Sequence, residues 1–361
     1  MKHLDYVCFL NRSGYAQAAI DYISALKQGK QDLRLTLLHS TPDTMSMTQA
    51  RYVEFTKMIQ QPRRQDSIQI FHCIPDMQRR MAPTGPRIGF GTFETFDPPD
   101  HWVSILNTND AIICPSKFNE RCFRHAGVEK PIFYIPHCVD STMYNTSVTG
   151  DRCGRKEFTF LFFGTWKKRK GYDKLIEAWL TEFDVHDNVR LLIKTDRISV
   201  ANKYIEDTKN EFKGKKDFAP ISFETRILDE NAVPRLIRGV DCLISPTMGE
   251  GFGIPGLQSM ALGVPVITTD FSGCQDYATQ ETATLIPPKG HILLNDMDGI
   301  PQMRLKKWAF FTAQDVASQM RNVLENKEDT AKKAAFGCEF VHKNFNYEIT
   351  FERFSQMLNS L

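Results

Sequence analysis

The sequence predicts two α/β domains in series, each built on a parallel sheet. Three observations carry that prediction. Short apolar runs alternate with amphipathic stretches through the first part of the chain, as strands alternate with helices. A polar stretch, Ser141 to Lys156, then interrupts the alternation with Asn145, Gly150, Gly154 and several charges, and reads as a linker. Beyond it the same alternation restarts. With 361 residues there is enough chain for two separate cores.

In the first half the expected strands are Tyr6–Leu10, Leu33–Leu38, Ile68–Cys73, Ile88–Thr92, Ala111–Cys114 and Ile132–Ile135. Amphipathic stretches such as Ala16–Leu26 and Lys117–His125 lie between them. In the second half, strands are expected at Phe158–Phe163, Arg190–Ile193, Ile221–Phe223, Cys242–Ser245, Val264–Thr268 and Thr284–Ile286. Helices are expected at Tyr172–Leu180, Val200–Phe212, Ala232–Arg238 and Ile254–Ala261. The C-terminal part reads as helix over Ala313–Glu325, Lys327–His342 and Tyr347–Leu361. In parallel sheets of this kind ligands sit at the carboxyl ends of the strands, so the segments that leave those ends hold the candidate sites.

Composition excludes little. Hydrophobic content of 42% and charged content of 24% are those of an ordinary globular protein. A net charge of +2 gives no global attraction to nucleic acid or to an anionic membrane. Between Arg51 and Arg87 the balance is locally basic: Arg51, Lys57, Arg63, Arg64, Arg79, Arg80 and Arg87 face Glu54, Asp66 and Asp76. That stretch is a solvated face or a surface for an anionic acceptor or nucleic acid. The nine cysteines form no C-x-x-C pair, and Cys8, Cys114 and Cys242 lie in apolar runs. Free thiols in a reducing compartment fit this better than a disulfide framework or zinc, and the expected location is cytoplasmic. The run Leu4–Leu10 lacks a signal-peptide shape, and no apolar run approaches a transmembrane span.

The strongest chemical signal is Thr247-Met-Gly-Glu-Gly-Phe-Gly-Ile-Pro-Gly-Leu-Gln258. It reads as a strand end, a glycine loop and a helix start. Gly251 and Gly253 leave the backbone bare for close approach of a ligand. Pro255 suits the first turn of the helix, whose free N–H groups are suited to a phosphate. Glu250 does not help to bind phosphate; its work is to accept hydrogen bonds from hydroxyls. Phosphate together with hydroxyls suggests a sugar nucleotide.

The second signal is Phe163-Gly-Thr-Trp-Lys-Lys-Arg-Lys-Gly171, four consecutive cations after a strand and before a helix. Lys170, with Arg169 beside it, is suited to a diphosphate leaving group that needs cations as charge develops; Lys167 and Lys168 read as solvated. Asn11-Arg-Ser-Gly-Tyr-Ala-Gln17 follows the first strand. Either Ser13 simply caps the next helix, or Gly14 also admits a phosphate or sugar to the backbone. Glu94, in Gly91-Thr-Phe-Glu-Thr95, follows a buried strand and is either a functional carboxylate or the partner of an arginine. His137 reads as a packing histidine near a hinge. Asp296-Met-Asp298 is an Asp-x-Asp pattern in a polar loop rather than after a strand, so no metal ligands are expected.

These segments, in this order, resemble the retaining glycosyltransferases of family 4, which have the GT-B fold. Glu250 to Gln258 is similar to that family's pair of acidic residues separated by seven others, and Phe163–Gly171 to its basic loop ending in Lys-Gly. A subgroup is resembled most closely, through Phe93-Glu-Thr-Phe-Asp-Pro-Pro-Asp-His-Trp102, Leu106-Asn and Cys114-Pro-Ser-Lys-Phe-Asn119. Ile135-Pro-His-Cys-Val-Asp140 looks like the usual end of the family's N-terminal domain. Three positions depart from the pattern: Gln258 replaces the second acidic residue, Thr165 lies near the usual arginine, and Cys138 replaces a commoner glycine.

The resemblance implies two Rossmann-like domains facing across a cleft. Residues 1–150 would be the acceptor-binding domain and residues 151–340 the nucleotide-sugar-binding domain. Residues 341–361 would form a helix that packs back toward the first. It implies transfer of a sugar from a UDP- or GDP-linked donor to an acceptor hydroxyl, with retention of configuration and no metal or other cofactor. The acceptor would be a glycan, a lipid-linked compound or another hydroxyl. Lys170 and Arg169 would hold the diphosphate, Glu250 the sugar hydroxyls and Gln258 the ribose. Gly14, Gly251, Phe252, Gly253 and Ile254 would border the donor, and Glu94 would stand beside the reacting sugar. Two alternatives stay open: a non-catalytic module that binds nucleotide sugar or glycan, and a glycosyltransferase that modifies nucleic acid.

Overall fold

In the computed structural model of the chain, residues 2–38, 47–212, 217–295 and 303–361 are described. Asp296-Met-Asp298 lies outside them. The chain divides into two compact units. One comprises Met1–Met143, Leu228–Asn231 and His342–Leu361; the other comprises Tyr144–Ile227 and Ala232–Val341.

The first unit is a parallel six-stranded sheet with helices on it. The strands are β1 (Leu4–Cys8), β2 (Leu33–Leu37), β3 (Ile68–Phe71), β4 (Arg87–Phe90), β5 (Ala111–Cys114) and β6 (Ile132–Tyr134). Their order is β2-β1-β3-β4-β5-β6, so β1 has β2 on one side and β3 on the other. The helices are α1 (Gly14–Gln28), α2 (Gln49–Ile59), α3 (Pro75–Gln78), α4 (Asp100–Leu106) and α5 (Lys117–His125). β1, β3, β4 and β5 are buried along their whole length, which is why they read as continuous apolar runs and not as alternating ones. Of these helices the sequence did not reveal α3, a single turn of four residues, nor α2 and α4. α2 buries only Phe55 and Met58, and α4 is two turns long behind two prolines, so neither shows a strong helical period.

The second unit repeats the plan. Its strands are β7 (Phe158–Phe163), β8 (Val189–Lys194), β9 (Ile221–Phe223), β10 (Cys242–Ser245), β11 (Val266–Thr269) and β12 (Thr284–Ile286), in the order β12-β11-β10-β7-β8-β9, all parallel. α6 (Tyr172–Glu182), α7 (Ile198–Glu211), α8 (Ala232–Arg238) and α9 (Ile254–Ala261) connect them. An antiparallel hairpin, β13 (His291–Leu294) and β14 (Lys306–Ala309), follows. The sequence did not suggest it, because only short pieces of strand flank a long polar connection. Then come α10 (Ala313–Glu325), α11 (Lys327–Asn344) and α12 (Tyr347–Ser360). α12 lies in the first unit, against α1: the ring of Phe351 occupies the space a side chain at Gly29 would need.

Expected and observed elements differ mainly at their ends. β1 starts at Leu4 and stops at Cys8 because the ladder with β2 runs over those residues. All nine cysteines are free thiols, seven of them buried. Among the described residues no helix is long and apolar enough to cross a membrane.

A charged cluster holds the separate chain segments of the first unit together. Arg51, on α2, pairs with Glu230 of the short segment Leu228–Asn231 and lies 3.6 Å from Asp140. Glu230 also accepts the N–H of Thr48 (2.5 Å). Beside them Asp21 of α1 accepts from the Tyr347 hydroxyl of α12 (2.9 Å) and from Gln17 (3.1 Å). Burial pushes the Asp21 carboxyl up to about 7, outweighing those two donors and the Arg51 charge. The fold thus keeps a proton that the unfolded chain releases near pH 4. The stability this proton contributes is full below about pH 4 and is lost as pH rises through about 7. Asp21→Asn should therefore gain on wild type as pH goes from 4 to 8, with a ceiling of about 4 kcal/mol on the change. Urea unfolding of both proteins across that range checks it; parallel curves would show that Asp21 is ionised in the fold.

Candidate functional site

The second sheet changes direction at β7, whose two neighbours are β8 and β10. Loops that leave the carboxyl ends of strands on either side of such a switch diverge and leave a crevice. Here the two loops are the ones the sequence singled out: Gly164–Gly171 after β7, and Pro246–Gly253 after β10.

Backbone contacts join them. Lys168–Lys170 form one tight helical turn, and Gly171 ends it in the left-handed region at φ 71°. A Cβ there would overlap the Pro246 carbonyl oxygen, so glycine is required on two counts. The Arg169 carbonyl accepts the Met248 N–H (2.7 Å) and the Thr247 hydroxyl (3.1 Å). Ahead of the turn, Trp166 is buried and stacks on Tyr172 at 4.3 Å.

This stitching sets the side chains. The Glu250 carboxylate receives Lys170 Nζ at 2.5 Å on one oxygen and an Arg169 guanidinium nitrogen at 3.3 Å on the other. All three side chains are at least 85% buried. Burial pushes the Glu250 carboxyl up, but Lys170 and Arg169 together overcome it and hold its pKa below the usual carboxylate range. The result is a cluster of two cations and one anion. Lys168 is exposed and Lys167 half-buried. Among the described residues no group of three His, Cys, Asp or Glu side chains could hold a metal.

α9 starts immediately after the glycine loop. Its N-cap is Gly253, at φ 92°, and among the described residues no side chain caps that end. Gly251, Gly253 and Ile254 are partly exposed there. Phe252 is buried and packs on Tyr277 at 5.4 Å, so it anchors the loop and offers a ligand only its backbone. Gln258 is buried one turn further along, where its amide donates to the Tyr144 hydroxyl at 2.9 Å.

The sequence did not reveal what holds the glycine loop in place. After β11 a short turn, Ser272–Asp276, grips it. The Ser272 hydroxyl accepts the Glu250 N–H (2.8 Å), the Gly273 N–H donates to the Glu250 carbonyl (3.0 Å), and the Tyr277 hydroxyl donates to the Gly253 carbonyl (2.7 Å). Ser272 sits at φ 64°, a conformation that costs a non-glycine residue energy. The one sequence signal was Ser272-Gly273, a turn pair that three residues separate from the expected strand Val264–Thr268.

Glu94 and Gly14 lie in the first unit. Glu94 follows β4 in a loop that α5 fixes: the Asn119 amide donates to the Phe93 carbonyl (2.9 Å), and Phe93 packs on Phe118 and Phe123. Gly14 opens α1 behind the N-cap Ser13, whose hydroxyl accepts the Ala16 N–H (3.2 Å). Among the described residues, no atom beyond its chain neighbours and its own helix backbone lies within 4 Å of where a Gly14 Cβ would be. His137 is buried against Phe90 and within 3.0 Å of the Tyr22 hydroxyl; burial pushes it down to about 3, so it is neutral.

The stretch Arg51–Arg87 is no continuous basic surface. Arg51 is committed to Glu230 and Arg64 to Asp32. Arg87 is buried, hydrogen-bonded to Asn109 and to the Gln78 and Met81 carbonyls. Arg63, Arg79 and Arg80 are exposed.

Residues 157–295 match the family model of glycosyl transferases group 1. Over 78 residues, 20% of the chain, there is 33% identity to the lipopolysaccharide core biosynthesis mannosyltransferase LpsB of Rhizobium meliloti. The match spans only 22% of that curated relative. In fold the chain is similar to Anabaena Alr3699/HepE in complex with UDP and glucose, with a TM-score of 0.71, 14% identity and 100% of both chains covered. It is equally similar to sucrose-phosphate synthase of Thermosynechococcus elongatus, with a TM-score of 0.71 and 13% identity over 100% of this chain and 99% of that one. These likenesses establish the fold class, the two-sheet α/β arrangement of GT-B proteins.

The grip of Ser272 can be tested by stability. Ser272→Ala leaves the buried Glu250 N–H without an acceptor and should cost about 1–3 kcal/mol. Ser272→Gly loses the same hydroxyl but relieves the left-handed backbone, so it should cost about 1 kcal/mol less than the alanine variant. Chemical denaturation of the three proteins reads the order; an alanine variant as stable as wild type would show that the hydroxyl carries no load.

Proposed function

We propose that this protein is a glycosyltransferase of the group 1 type. It moves a sugar from a nucleoside-diphosphate donor to an acceptor hydroxyl, with retention of configuration and without a metal ion. One observation carries the reading: the Glu250–Lys170–Arg169 cluster stands at the strand-order switch of the second sheet, beside an uncapped helix start, inside the segment that matches the family model. UDP and glucose are the ligands of the HepE structure, and LpsB is a mannosyltransferase. Both favour a UDP- or GDP-linked hexose as donor.

In this reading the second unit binds the donor. The diphosphate lies at the N-terminus of α9 over Gly251, Gly253 and Ile254. Lys170 and Arg169 turn to it and take up charge as it leaves. Glu250 then does two things: it keeps both cations charged and aimed before the donor arrives, and it accepts hydrogen bonds from the sugar hydroxyls afterwards. Gln258 serves the ribose through its amide, which can accept from one hydroxyl and donate to another. The bond from the anomeric carbon to the diphosphate oxygen breaks, and the acceptor oxygen bonds to that carbon on the same face. The acceptor's proton passes to the departing diphosphate. The first unit presents the acceptor, with Gly14 and Glu94 at the carboxyl ends of β1 and β4. The basic stretch, half consumed in internal pairs, lends no support to a nucleic-acid acceptor.

Two measurements test the reading. Purified protein incubated with UDP-glucose or GDP-mannose should release nucleoside diphosphate, by transfer or by hydrolysis, and should do so in excess EDTA. Lys170→Ala should lower turnover by about two orders of magnitude or more. Strict dependence on added magnesium or manganese would remove the proposed role of Lys170. No turnover of any donor, with tight nucleotide-sugar binding, would mark a binding module instead. The second measurement separates Glu250 from the diphosphate. Glu250→Ala should impair transfer while UDP or GDP binds as tightly as before or more tightly, because the two cations lose their counter-charge. Calorimetry reads it; a loss of nucleotide affinity equal to the loss of transfer would place Glu250 on the nucleotide.

A further inference from the structure

Gln258 is 5% exposed, and one half of its amide is already committed. Its Nε2 donates to the Tyr144 hydroxyl at 2.9 Å. Its Oε1 has no hydrogen-bond partner among the described residues and is not sealed away from solvent. The helix sets where this side chain lies. Side chains lean toward the start of their helix, and residues four apart stand one above the other. Gln258 therefore lies over Ile254, the first residue of α9, on the turn that carries the free backbone N–H groups.

Tyr144 is itself held firmly. It is 5% exposed and stands 114 residues from Gln258 in sequence. Two positions on, the Thr146 methyl lies 3.2 Å from where a Cβ on Gly263 would be, just past the end of α9. Further along, the Asp151 N–H donates to the Arg235 carbonyl of α8 (2.8 Å). The segment from Tyr144 to Asp151 is thus pinned to both helices, within the second unit. A glutamine amide that is free to turn over offers either an acceptor or a donor. Tied through its nitrogen to a fixed hydroxyl, it presents its oxygen instead. A carbonyl oxygen accepts and cannot donate, and it repels phosphate oxygens. What it selects is an O–H donor, about 5.4 Å along the helix from the start that suits a phosphate. In a nucleoside diphosphate the ribose supplies such donors.

We infer that Tyr144 is a positioning residue for the nucleotide: it holds the Gln258 amide with its oxygen toward the ligand, so that the site prefers a ribose with that hydroxyl intact. The inference rests on the donor reading above, in which Gln258 serves the ribose.

Calorimetric titration of the full chain with UDP and GDP, and with their 2′-deoxy and 3′-deoxy forms, tests it. For the nucleotide that binds, one deoxy form should bind the wild type about tenfold more weakly. Tyr144→Phe keeps the ring and loses the hydroxyl. The freed amide must then be ordered at each binding event, so ribonucleotide affinity should fall about fivefold. The deoxy form should bind as before, which leaves a preference of about twofold. Gln258→Ala should abolish the preference, and Tyr144→Phe added to it should change nothing further. A purely structural tyrosine would weaken both nucleotides alike and would still do so beside Gln258→Ala. That pattern, a Tyr144→Phe variant with wild-type preference, or a wild type that binds ribo and deoxy forms equally would each overturn the inference. Failure of both UDP and GDP to bind would overturn the donor reading and the inference together. A Tyr144-dependent preference in a protein that turns over no nucleotide sugar would keep the inference and discard the transferase.

Discussion

A carboxylate almost fully withdrawn from water, Glu250, needs compensation, and Lys170 and Arg169 supply it. Much of the second unit's local structure serves that one arrangement. A buried charge without partners would cost several kcal/mol or give up its proton. Here the partners come from a loop eighty residues away in sequence, and the strand order β10-β7-β8 is what brings them adjacent. Gly171 lets the two loops touch, the Arg169 carbonyl ties one to the backbone of the other, and Ser272 with Gly273 fixes the backbone of Glu250 itself. The strain at Ser272 fits this picture: an unfavourable local conformation persists where surrounding contacts over-determine it.

The same arrangement makes the site responsive to an anion. Lys170 and Arg169 bring two positive charges to the one negative charge of Glu250. A diphosphate that arrives beside it finds cations already desolvated and oriented, which is where electrostatic stabilisation is strongest. The two units thus offer different chemistries on one topological plan. In the second, the strand-order switch is cationic and sits at a helix start. In the first, Tyr15 and His72 follow the corresponding strands, and burial holds the phenol well above its ordinary pKa and the imidazole well below its own. Parallel sheets place loops at a switch whatever the sequence, and the residues that follow each strand then decide what can bind.

Much of this was legible beforehand. The buried strands read as apolar runs because parallel sheets bury both faces, and β5, β7, β9, β10, α5, α8, α9 and α10 have the bounds the sequence suggested. Glu250, Lys170 and Arg169 were legible as a set because each loop carries a composition that a plain turn does not need. α2, α4 and the β13–β14 hairpin were not, since short or weakly amphipathic elements leave little periodic signal. Arg51, Arg64 and Arg87 looked alike in sequence, yet their partners Glu230, Asp32 and Asn109 lie far along the chain.

By itself the sequence determined the two α/β units, the loops that carry chemistry and the residue types in them, because periodicity, glycine and charge are local properties. Only the tertiary structure decided who meets whom. It paired Glu250 with both cations, gave Gln258 to Tyr144, placed Ser272 under the glycine loop, and left the Tyr15 hydroxyl and His72 Nε2 buried with no partner among the described residues. Those outcomes depend on strand order and burial, which join residues distant in sequence. Pairing, proton occupancy and orphaned polar atoms are properties of that joined environment, and no single stretch of chain encodes them.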